Sequence, residues 1–103
     1  MSDILCRIIS FQQSHTWGYP VPHLLGIQFI QLDPPAKTHD SEIYFHFSSE
    51  RVRVQGNKLR FFWDQIVIML PASIRPGKYS NGGHFGYEVT EVSIVDESKP
   101  PGV

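Results

Sequence analysis

Basic and aromatic residues gather in the middle of the sequence. The set comprises Tyr44, His46, Arg51, Arg53, Lys58, Arg60 and Phe62. It holds four of the nine Lys and Arg residues of the chain. Single-stranded nucleic-acid binders use this mixture, in which cations meet phosphates and rings stack on bases. We therefore treat the set as a candidate nucleic-acid-binding surface. The alternative is a solvated face with acidic neighbours.

A second group of rings lies in residues 12–24, which we expect to form a loop. The group consists of His15, Trp17, Tyr19 and His23. Pro20 and Pro22 remove backbone donors and favour an extended chain. Large rings with one polar atom are favoured at protein interfaces, and they can also bind a sugar or a base. These residues are a candidate contact site for a ligand or a protein, unless the loop folds back over the end of the core.

Signals of catalysis or metal binding are absent from the sequence. The five histidines, which form no i, i+4 pair, are His15, His23, His39, His46 and His84. Cys6 is the single cysteine, so the chain can form neither an internal disulfide nor a cysteine metal cluster. No G-x-S-x-G elbow or phosphate-binding loop is present. We expect a non-enzymatic protein with no catalytic residues, no cofactor and no metal.

A hairpin is the element that we expect to position the basic set. Gly56-Asn57 separates two alternating runs and suits a two-residue turn of type II′, with type I′ also open. One face then carries apolar side chains, namely Val52, Val54, Leu59, Phe61 and Trp63. The other face carries Arg51, Arg53, Gln55, Lys58, Arg60 and Phe62. With the strand at 42–48, this hairpin predicts a meander of 42–48, 51–55 and 58–63, with Tyr44 and His46 on its polar face.

The rest of the chain reads as further short strands between turns. We expect strands at 4–11, 26–32, 66–70 and 85–95, with a bulge at Thr90-Glu91. A single helical turn capped by Asp64 is the alternative for 66–70. Further turn signals lie at 75–78 and at Asn81-Gly82. The prediction is an all-β single domain over 1–103, a small antiparallel β-sandwich or partly open barrel of six to eight short strands, with 96–103 as a flexible tail.

Charge and hydropathy narrow the class of protein. A formal net charge of −1 argues against strong, indiscriminate binding of nucleic acid, although a local basic stripe can still bind. The first residues lack the features of a secretory signal, and no apolar run approaches the ~20 residues of a membrane span. We expect no membrane association and a cytoplasmic location, in a host cell if the source is viral.

Three functions remain as expectations. The first is a non-enzymatic interaction or assembly module that self-associates, because residues 4–11 are apolar on both faces and suggest a protein partner or a homo-oligomer. The alternative is binding of single-stranded nucleic acid, and the third is binding of carbohydrate or a small ligand through Trp17. The stretch 70–79, LPASIRPGKY, is similar to stretches of many β-sandwich domains and of small phage single-stranded-DNA-binding proteins, but it assigns the chain to no family.

Overall fold

Two β-sheets and one α-helix form the part of the fold that the structure describes. A computed structural model describes residues 7–81 and 85–95. Within these ranges the strands are β1 (Ile8–Gln12), β2 (Thr16–Pro20), β3 (Leu24–Gln31), β4 (Ser41–Phe47), β5 (Arg51–Asn57), β6 (Ser73–Ile74), β7 (Gly77–Asn81) and β8 (Phe85–Val95). The helix α1 is Leu59–Ile66. Residues 1–6 with Cys6, residues 82–84 with His84, part of the predicted Asn81-Gly82 turn and the predicted tail at 96–103 lie outside the described residues.

The order of the strands confirms the predicted all-β class. Sheet A has the order β2-β1-β6, and sheet B has the order β3-β4-β5-β8-β7. Every pairing is antiparallel except that of β1 with β6, which is parallel over two residue pairs. No helix in the described part of the chain is long and apolar enough to cross a membrane.

The core lies against one face of sheet B, which we call the inner face. Alternation along β4 and β5 places there five buried side chains, Ile43, Phe45, Phe47, Val52 and Val54. Sheet A covers part of this face, and the ring of Phe11 lies 5.4 Å from that of Phe45. Helix α1 covers another part with its buried stripe of Leu59, Phe62 and Ile66. Each large apolar side chain buried in this way contributes about 1.5–3 kcal/mol of transfer free energy.

The predicted hairpin at Gly56-Asn57 is wrong. Strand β5 continues through Asn57, Lys58 adopts a left-handed conformation with φ 59°, and a helix follows. The second neighbour of β5 is β8, not residues 58–63. Gly56 is needed for another reason. A Cβ there would collide with the carbonyl oxygen of Glu88 and lie 2.9 Å from Cδ2 of Leu59, so glycine permits the close approach of β8 and α1.

The start of α1 is capped by residues that lie far away in sequence. The backbone N–H of Lys58 donates to Oδ1 of Asp40 at 3.0 Å, and the N–H of Leu59 donates to Oγ of Ser41 at 3.1 Å. Helix caps are ordinarily supplied by the residue at the helix start itself. Because these caps come from the beginning of β4, no local pattern around Lys58 predicts the helix. The helix buries Phe62, whereas the hairpin would have buried Phe61.

Residues 66–70 do not form the predicted buried strand. Ile66 ends the helix, and the three residues after it are strongly exposed, Val67 at 63%, Ile68 at 84% and Met69 at 70%. The alternative of a turn capped by Asp64 is also wrong, because Asp64 lies inside α1. The buried stripe of the helix is complete at Ile66, so Val67, Ile68 and Met69 project away from the core.

Residues 12–24 are also more regular than the predicted loop. Residues 16–20 form β2, which pairs with β1 through a tight reversal in which the N–H of Gln13 donates to the carbonyl of His15. Trp17 and Tyr19 lie on one side of β2 and pack against Phe11, which favours a strand over a loop. Pro20 is tolerated because it is the last residue of an edge strand.

The predicted bulge in the last strand is confirmed. Gln55 pairs with Glu91, and the next residue of β5, Gly56, pairs with Val89, so Thr90 is the extra residue. Its Oγ1 donates to the carbonyl of Gln55 at 3.1 Å. The predicted strands at 26–32, 42–48, 51–55 and 85–95 correspond to β3, β4, β5 and β8.

Candidate functional site

Among residues 7–81 and 85–95, no strand pairs with the outer side of β3, so β3 is an edge strand of sheet B. It pairs with β4 on one side and is the last strand in the order of the sheet. Next to β3, the N–H of Leu32 donates to the carbonyl of Asp40, and on the other side of β4 the N–H of Phe47 donates to the carbonyl of Glu50. Because backbone groups alternate between the two sides of an antiparallel strand, even-numbered residues of β3 face β4. The odd-numbered residues Ile27, Phe29 and Gln31 therefore direct their N–H and C=O groups away from the sheet.

The sequence of β3 lacks two of the usual protections of an edge strand. Its eight residues, LLGIQFIQ, include no charged residue and no proline. Soluble proteins ordinarily protect such an edge with charges, prolines, short strands or bulges, because unpaired backbone groups invite another strand. The one irregularity is a register shift between Leu24 and Gly26, at the beginning of the strand, where Leu25 is 73% exposed. The stretch from Ile27 to Gln31 is regular.

One apolar residue of α1 and one of the turn after it lie near this edge. The ring of Phe29 lies 6.0 Å from that of Trp63, which is half-buried. Val67 follows one turn later, its N–H bonded to the carbonyl of Trp63, and it therefore lies on the same side of the helix. We call β3, Trp63 and Val67 together the β3 flank. It combines unpaired backbone groups with exposed apolar surface.

Four residues of the predicted basic set lie together on the other face of sheet B, which we call the outer face. Tyr44 pairs with Arg53, and His46 pairs with Arg51. The guanidinium of Arg51 lies 5.1 Å from the centre of the Tyr44 ring, within the range of a cation–π contact. The rings of Tyr44 and His46 stack at 6.4 Å. These four residues can present both charge and aromatic surface to a ligand.

The other three residues of that set lie elsewhere. Lys58 is in the link before α1. Arg60 is exposed on the helix, with Nε 3.4 Å from Oδ1 of Asp64. Phe62 is buried and stacks on Tyr87 with ring centres 4.8 Å apart. The hairpin would have placed all three beside Arg53, so the predicted binding surface shrinks to the β4 and β5 residues.

Glu42 makes the outer face less basic than its arginines suggest. Its carboxylate accepts hydrogen bonds from the hydroxyl of Tyr44 at 2.9 Å and from Nε2 of Gln55 at 3.2 Å. Burial alone would raise the pKa of Glu42, but hydrogen bonds from Gln55, Tyr44 and His39 and the charge of Arg53 outweigh it and hold the pKa below its ordinary value. An acidic neighbour therefore lies within the arginine surface, as the solvated-face interpretation expects.

Some buried polar atoms of the outer face have no hydrogen-bond partner among the described residues. Nε of Arg53 and Oγ of Ser93 are buried and make no hydrogen bond to any residue in 7–81 or 85–95. The two residues lie opposite each other on β5 and β8.

Burial raises the pKa of Tyr44, as does its hydrogen bond to Glu42, while Arg53 opposes the shift. The hydroxyl of Tyr44 stays protonated near neutral pH and can act as a donor.

His39 fastens the loop before β4 to the outer face. Its ring is 9% exposed, with Nε2 3.1 Å from Oε2 of Glu42 and Nδ1 3.1 Å from Oγ1 of Thr38. Its role was not predicted from sequence, because its partners lie on β4 and β5. Among the described residues, no three His, Cys, Asp or Glu side chains converge as metal ligands.

The polar atoms of Trp17 and Tyr19 in the predicted Trp17 site are already hydrogen-bonded within the fold. Nε1 of Trp17 donates to the hydroxyl of Tyr19 at 3.1 Å, and that hydroxyl donates to Oε1 of Glu50 at 2.5 Å. Tyr19 is buried, and burial together with Glu50 raises its pKa. His15 lies against Trp17 with ring centres 4.9 Å apart, whereas His23 lies in a separate 3₁₀ turn over Val21–His23. The structure thus brings three of the four residues together, two of them with their polar atoms already paired.

An open groove of about 570 Å³ lies beside the end of α1. Apolar residues of the helix and the turn after it form most of its lining, including Ile66, Ile68, Met69 and Leu70, and Arg7 also contributes. It is concave and mostly apolar, as ligand sites commonly are. Among the described residues, its lining supplies two polar side chains, those of Arg7 and Gln65, fewer than such sites use to orient a ligand.

Comparison with protein-family models, with curated proteins and with solved structures finds no match for this chain. The candidate sites therefore rest on the geometry of the molecule alone. Among them, the β3 flank combines free backbone groups, an uncharged strand and exposed apolar side chains in one place.

Proposed function

We propose that this chain is a non-enzymatic interaction module that self-associates through the β3 flank. The observation that carries the proposal is the outer edge of β3, eight residues without a charge at the end of sheet B, which no strand of the described residues covers. Adding a strand to such an edge is a recurring mode of protein recognition, in which main-chain hydrogen bonds supply affinity. The sequence led us to expect self-association from residues 4–11, whereas the support now comes from a different strand.

Apolar surface beside the edge supports the same proposal. Val67 is 63% exposed, and Trp63, on the same side of the helix, is only half-buried. A standard interface buries about 800 Å² on each partner, more than a pair of edge strands supplies by itself. Side chains that flank the edge can provide the remainder, and their removal from water adds about 25 cal/mol per Å².

Light scattering coupled to size exclusion tests the proposal. We expect the mass of the wild-type protein to rise from that of one chain to that of two as its concentration increases. Val67→Glu places a charge in the β3 flank and should shift the transition to higher concentration by at least tenfold. Gln65→Glu, an exposed change two residues earlier on the same helix, is the matched control and should leave the transition in place. A wild-type protein that stays monomeric at millimolar concentration contradicts the proposal.

A second candidate function is the binding of single-stranded nucleic acid by the outer face. The observation that favours it is the position of Arg51 over the ring of Tyr44, with Arg53 on the same face. Such a pair can hold a phosphate while a base stacks nearby. Glu42 weakens the candidate, because it brings a negative charge into the same surface.

Titration of fluorescent single-stranded DNA and RNA at low and moderate salt tests this candidate. Binding should weaken as salt rises, and Arg53→Glu should abolish it. Arg60→Glu is the matched control, since Arg60 lies on α1 away from the outer face. Absence of binding at low salt, or equal loss in both variants, ends the candidate.

A further inference from the structure

We infer that the partner of β3 is the β3 strand of a second copy, paired antiparallel about a twofold axis that passes through Phe29. This inference rests on the proposed self-association and names its partner and its register. The outward backbone groups belong to Ile27, Phe29 and Gln31, by the alternation set out above. Only the pairing centred on Phe29 matches these three residues with one another.

The hydrogen bonds follow from that register. Phe29 lies opposite Phe29 of the second copy, and Ile27 lies opposite Gln31. Each such pair exchanges two N–H···O bonds, so all the outward groups of the three residues are satisfied. Centring on Gln28 instead would place Gln31 opposite residue 25, where the register shift interrupts the strand. The regular part of β3 is therefore used fully by one pairing.

The side chains of the edge allow two identical copies to meet. On the outer face Gln28 lies opposite Ile30 of the second copy, and the same pair recurs across the axis. Like charges directly opposite each other destabilise paired strands, and this strand has none. A twofold interface requires a surface that complements itself, which an uncharged antiparallel strand satisfies.

The pairing also places the α1 helices of the two copies on the same face of the joined sheet. Ile27 and Phe29 pack on the inner face with α1, so a perpendicular twofold axis keeps both helices on that face. Trp63 and Val67 of each copy then lie near the axis, where they can shield each other from water. Two five-stranded sheets join into one continuous sheet of ten strands.

Two charge variants of β3 test the register, with sedimentation velocity as the readout and thermal unfolding as a check of the fold. Gln28→Lys with Ile30→Lys places lysine opposite lysine twice across the axis and should raise the dissociation constant at least tenfold. Gln28→Glu with Ile30→Lys places opposite charges in the same positions, and this variant should dimerise at least as well as the wild type. Within one copy, position 30 lies opposite Glu42 and position 28 lies opposite Tyr44, so neither variant places a new charge directly opposite a like charge of its own sheet.

The possible outcomes are distinct. Loss of the dimer in the lysine pair alone supports the register. A dimer in both variants, or in neither, overturns the register while leaving self-association intact. A wild-type protein that does not associate at any concentration overturns both this inference and the proposed function.

Discussion

The two edges of sheet B differ in sequence although they share one geometry. Strand β7, at one edge, has five residues, GKYSN, includes Lys78 and follows Pro76. Strand β3, at the other edge, has eight residues and no charge. A short strand with a lysine is what soluble proteins commonly place at an edge that must stay unpaired. The contrast supports the proposal that β3, rather than β7, pairs with another strand.

This difference also allows effects of substitutions on folding stability to be separated from their effects on self-association. Both edges pair antiparallel with an inner strand, and the pairing of β3 is regular from Gly26 onward, so both complete the same sheet. The two strands differ in the edge that faces away from the rest of the sheet. Substitutions that remove a hydrogen bond between β3 and β4 should lower the free energy of unfolding. Substitutions that block the outward backbone groups of β3 should act mainly on self-association.

The largest expected effect is a loss of stability caused by a substitution in the interior of sheet B, between its two edges. Phe45 is fully buried and lies opposite Ile27 of β3 and Val52 of β5. Phe45→Ala should lower the free energy of unfolding by about 3–5 kcal/mol, measured by urea denaturation. Tyr44→Ala, its neighbour on the outer face, should cost much less. Equal losses in the two variants would contradict the assignment of inner and outer faces.

A pair of proline variants compares the two sides of β3 directly. The N–H of Gln28 faces β4, so Gln28→Pro removes a hydrogen bond of the sheet and should cost about 1–3 kcal/mol in unfolding free energy. The N–H of Gln31 faces outward, so Gln31→Pro removes no backbone bond of the sheet and loses only the exposed side-chain bond from Nε2 to the carbonyl of Asp40 at 2.9 Å. It should cost less unfolding free energy than Gln28→Pro and abolish the dimer. Urea denaturation below the association range and light scattering above it measure the two effects. A dimer that survives Gln31→Pro would place the interface elsewhere.

The smallest expected effect concerns pH on the outer face, next to β3. Glu42 lies opposite Ile30, and its pKa in the folded protein is held below the ordinary value of 4.5. A carboxyl with a lowered folded pKa adds stability above its unfolded pKa and loses it as the pH falls through the folded pKa. The free energy of unfolding should therefore fall as the pH is lowered below about 4.5. Glu42→Gln should flatten that part of the profile, and an unchanged slope would argue against the network.

Local sequence patterns predicted the buried faces of β4 and β5 but not the helix that follows β5. Alternation along β4 and β5 placed Phe45 and Val54 correctly, because one residue in two must face the core. The change of phase in the last strand located the bulge at Thr90. Gly56 was misread as a turn residue because a close approach of β8 and a tight turn both select glycine, and sequence alone does not distinguish them.

Features that depend on distant partners were not predictable in this way. The cap of α1 comes from Asp40 and Ser41, so the helix had no local start signal and was read as a strand. The same error placed Arg60 and Lys58 on the arginine face. The charge-free composition of β3 was visible in the sequence, but its position at an edge depends on the order of strands in the sheet.

Amide hydrogen exchange at low and high protein concentration tests the central claim most directly. If β3 pairs with β3 of a second copy, the amides of Ile27, Phe29 and Gln31 gain protection as the concentration rises through the association range, and the amides of β7 keep the same exchange rates. Equal behaviour of the two edges, with no dependence on concentration at Phe29, would contradict the account.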